Sequence, residues 1–172
     1  MVEFHDYIFK RDEFTHLRET VRVIALDKGQ FAFLKIEGED EFGVRSHIET
    51  IGGGLELNES HEEAIRREVL EETGRDCRIL AFIEDILDEY YLINRKTLSH
   101  FYLVELLNVQ QPVNYQGSEK NLIKGVILLN KEEVLKRYQH HNPHNIEALI
   151  YQRDAHAFNE YLKGTNYEEK RD

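Results

Sequence analysis

Between Gly52 and Arg75 the chain reads G-G-G-L-E-L-N-E-S-H-E-E-A-I-R-R-E-V-L-E-E-T-G-R, and no other stretch constrains the fold as tightly. Three adjacent glycines lead into a segment with helix signals at both ends. Ser60 followed three places on by Glu63 predicts a capping box, in which the hydroxyl takes an orphan helix amide and the carboxylate reaches back to the cap. Gly74 stands where a left-handed residue would close the helix. Within it, Glu68, Glu71 and Glu72 are spaced i, i+3, i+4 and share one face. Like charges at that spacing destabilise a bare helix unless a cation sits among the oxygens. Arg66 and Arg67 supply part of that charge, and a hard divalent ion would supply more.

A solvated, salt-bridged surface is the simpler reading of such a helix, since Glu62–Arg66, Glu63–Arg67 and Arg67–Glu71 all have i, i+4 spacing. It leaves the glycine triplet unexplained, and it expects the carboxylates opposite the apolar stripe. At roughly 100° per residue the acidic face lies about 90° from the Ile65/Val69 stripe, at the edge of whatever that stripe packs on. A cleft wall belongs there.

The rest of the chain reads as one mixed α and β domain spanning 1–172, a length that suits one core better than two. Thr20–Leu26 and Phe31–Ile36, joined by Asp27-Lys28-Gly29, predict a hairpin of buried strands. Glu37–Phe42 reads as an acidic loop, and Arg45–Ile51 returns the chain to the glycines. After the helix, Arg78–Ile83, Ile86–Ile93 and Leu98–Leu107 predict a three-stranded meander. Asn108–Asn121 is a long polar loop of the kind that is often functional. Leu122–Leu129 predicts another strand, and Asn130 with Glu133 caps a short helix. Asn142-Pro143 opens a last helix that Gly164 would end, with 165–172 a frayed tail. Residues 1–18 carry no clear element.

Composition narrows the partners. A formal net charge of −11 repels polyanions and argues against long nucleic acid, though not against a small phosphorylated ligand held through a metal. No apolar run is long enough to span a membrane, and the first residues mix charges, so a cytoplasmic protein is expected. The single cysteine, Cys77, rules out an intrachain disulfide and reads as a small core residue. His140, His141 and His144 read as solvated turn residues, and His61, in the first helical turn, is given no role. A homodimer is compatible with this sequence, but nothing in it shows one.

The segment resembles the signature of the Nudix (MutT-like) hydrolases, G-x5-E-x7-R-E-U-x-E-E-x-G-U, where U is a bulky aliphatic residue. Gly53, Glu59, Arg67, Glu68, Val69, Glu71, Glu72 and Gly74 fall in register; Arg75 departs from the aliphatic pattern, which puts local packing in doubt more than chemistry. The resemblance implies a Nudix-like α/β/α sandwich with a mixed sheet, a catalytic loop-helix-loop and a C-terminal helix. It implies a Mg2+-dependent pyrophosphohydrolase, with Mn2+ as a substitute, cleaving a nucleoside diphosphate linked to another moiety. By position, Glu68, Glu71 and Glu72 correspond to metal-binding carboxylates, one of which also serves as base in some members. The Gly52 carbonyl corresponds to a frequent ligand, and Glu59 with Arg67 to the pair that orients the helix. Glu119 is the candidate for a distant acidic ligand, with an ordinary loop glutamate as the alternative. Whether a carboxylate or the metal itself activates the attacking water stays open.

Substrate-binding candidates are Arg45, for phosphate, and Tyr90 and Tyr91, for stacking on a base; a surface arginine and packing aromatics are the plainer accounts. In the family, a tyrosine at about this distance accompanies dinucleoside polyphosphate substrates and a proline ADP-ribose; no proline stands here. Two other readings compete: an isopentenyl diphosphate isomerase-like enzyme, whose box would depart from the consensus, and a non-catalytic nucleotide-sugar sensor, which would have lost box carboxylates.

Overall fold

A computed structural model describes residues 1–6, 16–40, 43–108, 111–115, 118–141 and 147–168, the side chains of 118, 119 and 165–168 excepted. Its strands are β1 (Val2–His5), β2 (His16–Asp27), β3 (Gln30–Asp40), β4 (Gly43–Glu49), β5 (Cys77–Tyr90), β6 (Arg95–Leu106) and β7 (Ile123–Leu129). The helices are α1 (His61–Thr73), α2 (Lys131–Gln139) and α3 (Ala148–Glu168), with 3-10 turns at Tyr91–Ile93 and Ser118–Asn121. The strands form one mixed sheet in the order β1-β5-β6-β2-β3-β4, with β7 also on β3.

Alternation along β2 gives the sheet two apolar faces. Val21, Val23 and Ala25 pack with Ile65 and Val69 of α1. Ile24 turns the other way, with Phe31 and Phe33, against Tyr138 of α2 and Phe158 of α3. The result is the α/β/α sandwich expected. Burying Ile65 and Val69 stabilises the seat of α1 by about 1.5–3 kcal/mol each.

One irregularity of the sheet makes the site. Ala32 pairs with Ala25 of β2 on one edge and Leu128 of β7 on the other, while Leu34 pairs with Glu49 of β4 and Val126 of β7. β4 therefore replaces β2 along the same edge of β3. The chain beyond β4 then crosses to β2, where Ile51 bridges Val23 and Gly54 bridges Thr20. The glycines are wedged where two strands part.

Several expectations are corrected. Residues 37–40 are strand, not loop, because Glu37↔Ser46 through Asp40↔Gly43 complete a backbone ladder; residues 41 and 42 lie outside the described ones. Arg78–Ile83 and Ile86–Ile93 are not two strands. β5 runs unbroken to Tyr90 against β6, absorbing its misfit in register shifts at Ile79/Ala81 and Phe82/Glu84. In place of a meander there is this hairpin, with β1 added in parallel on β5. Asn142-Pro143 lies outside the described residues. Gly164 does not end α3, which continues to Glu168; an interior glycine costs about 1 kcal/mol, too little to stop a helix anchored upstream by Phe158. Of the predicted tail, 169–172 lies outside the described residues.

Candidate active site

Every signal at the ends of α1 is realised. Ser60 and Glu63 form the reciprocal capping box, and Gly74, at φ 68°, closes the helix with its N–H on the Leu70 carbonyl. Glu62 pairs with Arg66 at 3.0 Å, as a solvated helix face would. Glu63 is spent on the cap, and Arg67 turns away from it toward the loop. Arg67 donates from Nε and Nη2 to the two Glu59 oxygens, each at 2.8 Å, from Nη1 to Glu68 at 2.7 Å, and from Nη2 to the Gly54 carbonyl at 2.9 Å. This fork binds the loop to the helix and fixes the Glu68 carboxylate. The Arg67 hydrogen bond holds Glu59 below the usual carboxylate range.

Close approach marks two of the glycines. Gly52 has φ 134°, and a Cβ there would stand 2.2 Å from the Val21 carbonyl oxygen. A Cβ on Gly53 would stand 2.4 Å from Glu68 Oε1. The carbonyls of Ile51 and Gly53 accept from Val23 and Val21 in the ladder. Gly52, between them, faces α1 instead, and its N–H donates to Glu72 Oε2 at 2.8 Å. Burial pushes the Glu72 pKa up to about 8; Gly52 N–H and Arg22 pull against that shift, while the charges of Glu68 and Glu49 add to it. Glu72 shares its helix face with Glu68 and Glu71, and carboxylate oxygens are the donor type that hard divalent ions take. The residues fit a magnesium-type ion.

Arg75, the departure from the aliphatic pattern, clamps rather than packs. Its guanidinium donates to both Asp27 oxygens, at 2.6 and 3.1 Å, and to the carbonyls of Leu107 and Leu106. The Arg75 hydrogen bond draws Asp27 below its ordinary pKa. The loop that follows β6 is tied to the same helix end: Gln111 N–H donates to the Gly74 carbonyl at 2.6 Å and Asn114 N–H to that of Glu71 at 2.8 Å. Burial and the Glu72 charge both raise the Tyr115 pKa, which puts this phenol on the carboxylate side of α1.

Behind the glycines lies a cavity of about 530 Å³. Five guanidinium groups line it, those of Arg18, Arg22, Arg45, Arg95 and Arg153, against the three carboxylates of Asp40, Glu49 and Asp88. In a chain of net charge −11 that is a local inversion of sign. The cavity meets the glycine loop through two of its walls. The Arg18 guanidinium lies 3.2 Å from where a Cβ on Gly54 would stand. Arg22 donates to the Thr50 carbonyl at 2.8 Å and pairs with Glu49 at 2.7 Å. Burial works to raise the Glu49 pKa, but Arg22, His47 and Arg153 together hold it well below the carboxylate range. Asp154, fully buried, accepts from both Thr50 N–H and Thr50 Oγ1 at 3.0 Å, which anchors the end of β4 to α3.

Arg45 and Tyr90 both line this cavity, and the Arg45 side chain is buried in it, not on the surface. Arg45 is 8% exposed and donates to Asp40. Tyr91 points elsewhere, its hydroxyl donating to Glu89 at 2.9 Å. The side chain of Glu119 lies outside the described residues. Cys77 is fully buried, and burial pushes its thiol up to about 11, in keeping with a core residue. His140 and His141 contact backbone carbonyls of α2, at Lys136 and Tyr138, while His144 lies outside the described residues. Sequence reasoning missed Arg18, Arg22, Arg95, Arg153 and Tyr115. Only Arg22 left a trace: a charged residue inside the otherwise apolar run V-R-V-I-A.

The NUDIX domain model matches residues 16–149. This chain belongs to the Nudix family of hydrolases. The fold recurs in solved structures. A NUDIX hydrolase from Nitrosomonas europaea superposes with a TM-score of 0.65 at 18% identity, over 86% of this chain and 89% of that one. An ADP compounds hydrolase gives 0.55 at 16%, over 86% and 74%. A UDP-X diphosphatase gives 0.55 at 17%, over 89% and 66%. No curated protein matches this Nudix chain by sequence. Among its described residues, no helix is long and apolar enough to cross a membrane.

Proposed function

We propose that this Nudix chain is a divalent-metal-dependent pyrophosphohydrolase that cleaves a nucleoside diphosphate joined to a second group, with water attacking phosphorus. The observation that carries the reading is the juxtaposition of an acidic helix face, closed onto Gly52 and Gly53, with an arginine-lined cavity on the far side of the glycine loop. Acidic chains repel phosphates in general; this one gathers cationic side chains at one place. The ADP compounds hydrolase and the UDP-X diphosphatase that share the fold have substrates of this description by name.

Glu68, Glu71, Glu72 and the Gly52 carbonyl would hold the ion, Mg2+ or Mn2+, which when bound neutralises the diphosphate and polarises the phosphorus under attack. Arg67 keeps Glu68 in place and welds Glu59 to the helix, so the donor face arrives preformed. A carboxylate oxygen of this face takes the proton of the attacking water. Arg18 and Arg45 bind the phosphate oxygens of the substrate, and Tyr90, beside Arg45, supplies the surface against which its base or sugar rests. Most of the catalysis is positional and electrostatic, as phosphoryl chemistry allows. The retained Glu68, Glu71 and Glu72 favour turnover over mere sensing.

A panel of nucleoside diphosphate derivatives, incubated with Mg2+ or Mn2+ and resolved by phosphorus NMR, tests the proposal. It expects a nucleoside monophosphate and a phosphorylated partner from at least one member. Tight binding of several members without any cleavage would make the chain a sensor and end the hydrolytic reading.

A further inference from the structure

The first turn of α1 carries a group of side chains that the reaction does not use. Glu19 of β2, His61 of α1 and His100 of β6 offer one oxygen and two ring nitrogens that all lie within 4.8 Å of one another. His100 Nε2 is 2.8 Å from Glu19 Oε1, and His61 Nε2 is 3.9 Å from the same oxygen. The other nitrogen of each ring is already engaged: His100 Nδ1 with Asp85 Oδ1 at 2.6 Å, His61 Nδ1 with the Tyr102 hydroxyl at 2.8 Å. The rings lie side by side, their centroids 4.1 Å apart and their planes tilted by 32°.

We propose that Glu19, His61 and His100 form a second metal site, taking a transition ion of the Zn2+ class, at the N-terminal end of the catalytic helix. Three features converge on it. Both Nε2 atoms lie within 3.9 Å of one carboxylate oxygen, and outer partners fix both rings through Nδ1, which is how ligating histidines are held. Two imidazoles and a carboxylate select Zn2+ over Mg2+, which prefers an all-oxygen shell. The spacings of 2.8 and 3.9 Å bracket that of ligands around an ion, since two donors each at about 2.0–2.1 Å in tetrahedral array stand about 3.3 Å apart.

A hydrogen-bonded histidine bridge from Asp85 to Glu19 would account for His100 alone. It leaves His61 Nε2 at 3.9 Å from Glu19 Oε1, too far for a hydrogen bond. His100 is 9% exposed, but Glu19 is 52% exposed, so the ion has a route in and solvent completes its shell. Along the helix, His61 stands roughly 10–16 Å from the Glu68–Glu72 face at 1.5 Å per residue, so the two sites are separate. An ion here would tie β2 and β6 to the start of α1. This inference stands whether or not the hydrolytic reading does.

The test is Zn2+ binding to the metal-stripped full chain in excess Mg2+, followed by calorimetry and by nitrogen NMR of the imidazoles. One equivalent of Zn2+ should bind and move the Nε2 resonances of His61 and His100. Glu19→Gln and His61→Phe, chosen because Glu19 is exposed and His61 half-buried, should each weaken binding at least about 100-fold, and Asp85→Asn about 10-fold. Glu68→Gln should leave it unchanged. The proposal is overturned if both ligand variants bind Zn2+ like the parent, if Mg2+ competes the Zn2+ away, or if the two resonances stay where they were.

Discussion

The acidic face of α1 and the arginine-lined cavity sit on either side of the same three glycines, but they are built in opposite ways. The acidic face comes from three carboxylates within five residues of one helix, Glu68, Glu71 and Glu72, and its orienting pair, Glu59 and Arg67, lies eight residues apart. The cavity draws its arginines from β2, β4, β6 and α3, from Arg18 to Arg153. The difference separates two tasks. A donor set for a metal must be stiff, and a single helix with a bidentate Arg67 clamp supplies stiffness locally. A pocket must fit a whole substrate, and only distant elements brought together by the sheet enclose a volume of that size.

Mutations that break the two regions should differ in kind. The largest effect belongs to the acidic face: Glu72→Gln should lower kcat by about 10³-fold, with the melting temperature preserved, in steady-state assays paired with thermal denaturation. Next comes the cavity. Arg45→Ala should raise KM by about 10- to 100-fold, the worth of one charged hydrogen bond to phosphate, with a much smaller change in kcat. An equal fall in kcat for Arg45→Ala would erase the distinction drawn between the two regions.

Smaller again is the clamp at the far end of α1. Arg75→Leu restores the aliphatic residue of the family pattern but strands Asp27, and it should cost about 1–3 kcal/mol in urea unfolding. The pH dependence has a definite sign. Asp27 has its folded pKa depressed below the ordinary 3.8, so the clamp stabilises the protein fully above that value. The gap between parent and variant should therefore close as pH falls through the depressed pKa, in acid below about 4. Smallest of all, Tyr91→Phe should change KM by less than about two-fold, because its hydroxyl serves Glu89.

These contrasts explain what the sequence makes legible. The capping box, the Gly74 stop and the Glu68/Glu71/Glu72 face are all set by spacing within one helix, so a pattern of one residue every 100° or so suffices to find them. The wedge that seats Gly52 is set by β4 replacing β2 along β3, a pairing across the chain that no local pattern carries. The same holds for β5, whose bulges look in sequence like a break between two strands. Arg153 reads as one more charge on a helix until the fold sets it beside Glu49. Arg75 misleads in the opposite direction: a broken motif position that the structure turns into an ion pair. His61, which the sequence leaves without a role, gains one only because His100 comes beside it from β6.

Hydrolysis in ¹⁸O-labelled water with Mg2+, comparing the parent with Glu72→Gln and reading products by phosphorus NMR, tests the central claim most directly. The account predicts one labelled phosphate product from the parent, from attack at phosphorus, and almost none from the variant. Label appearing at the same rate in both, or cleavage without label on phosphorus, would contradict it.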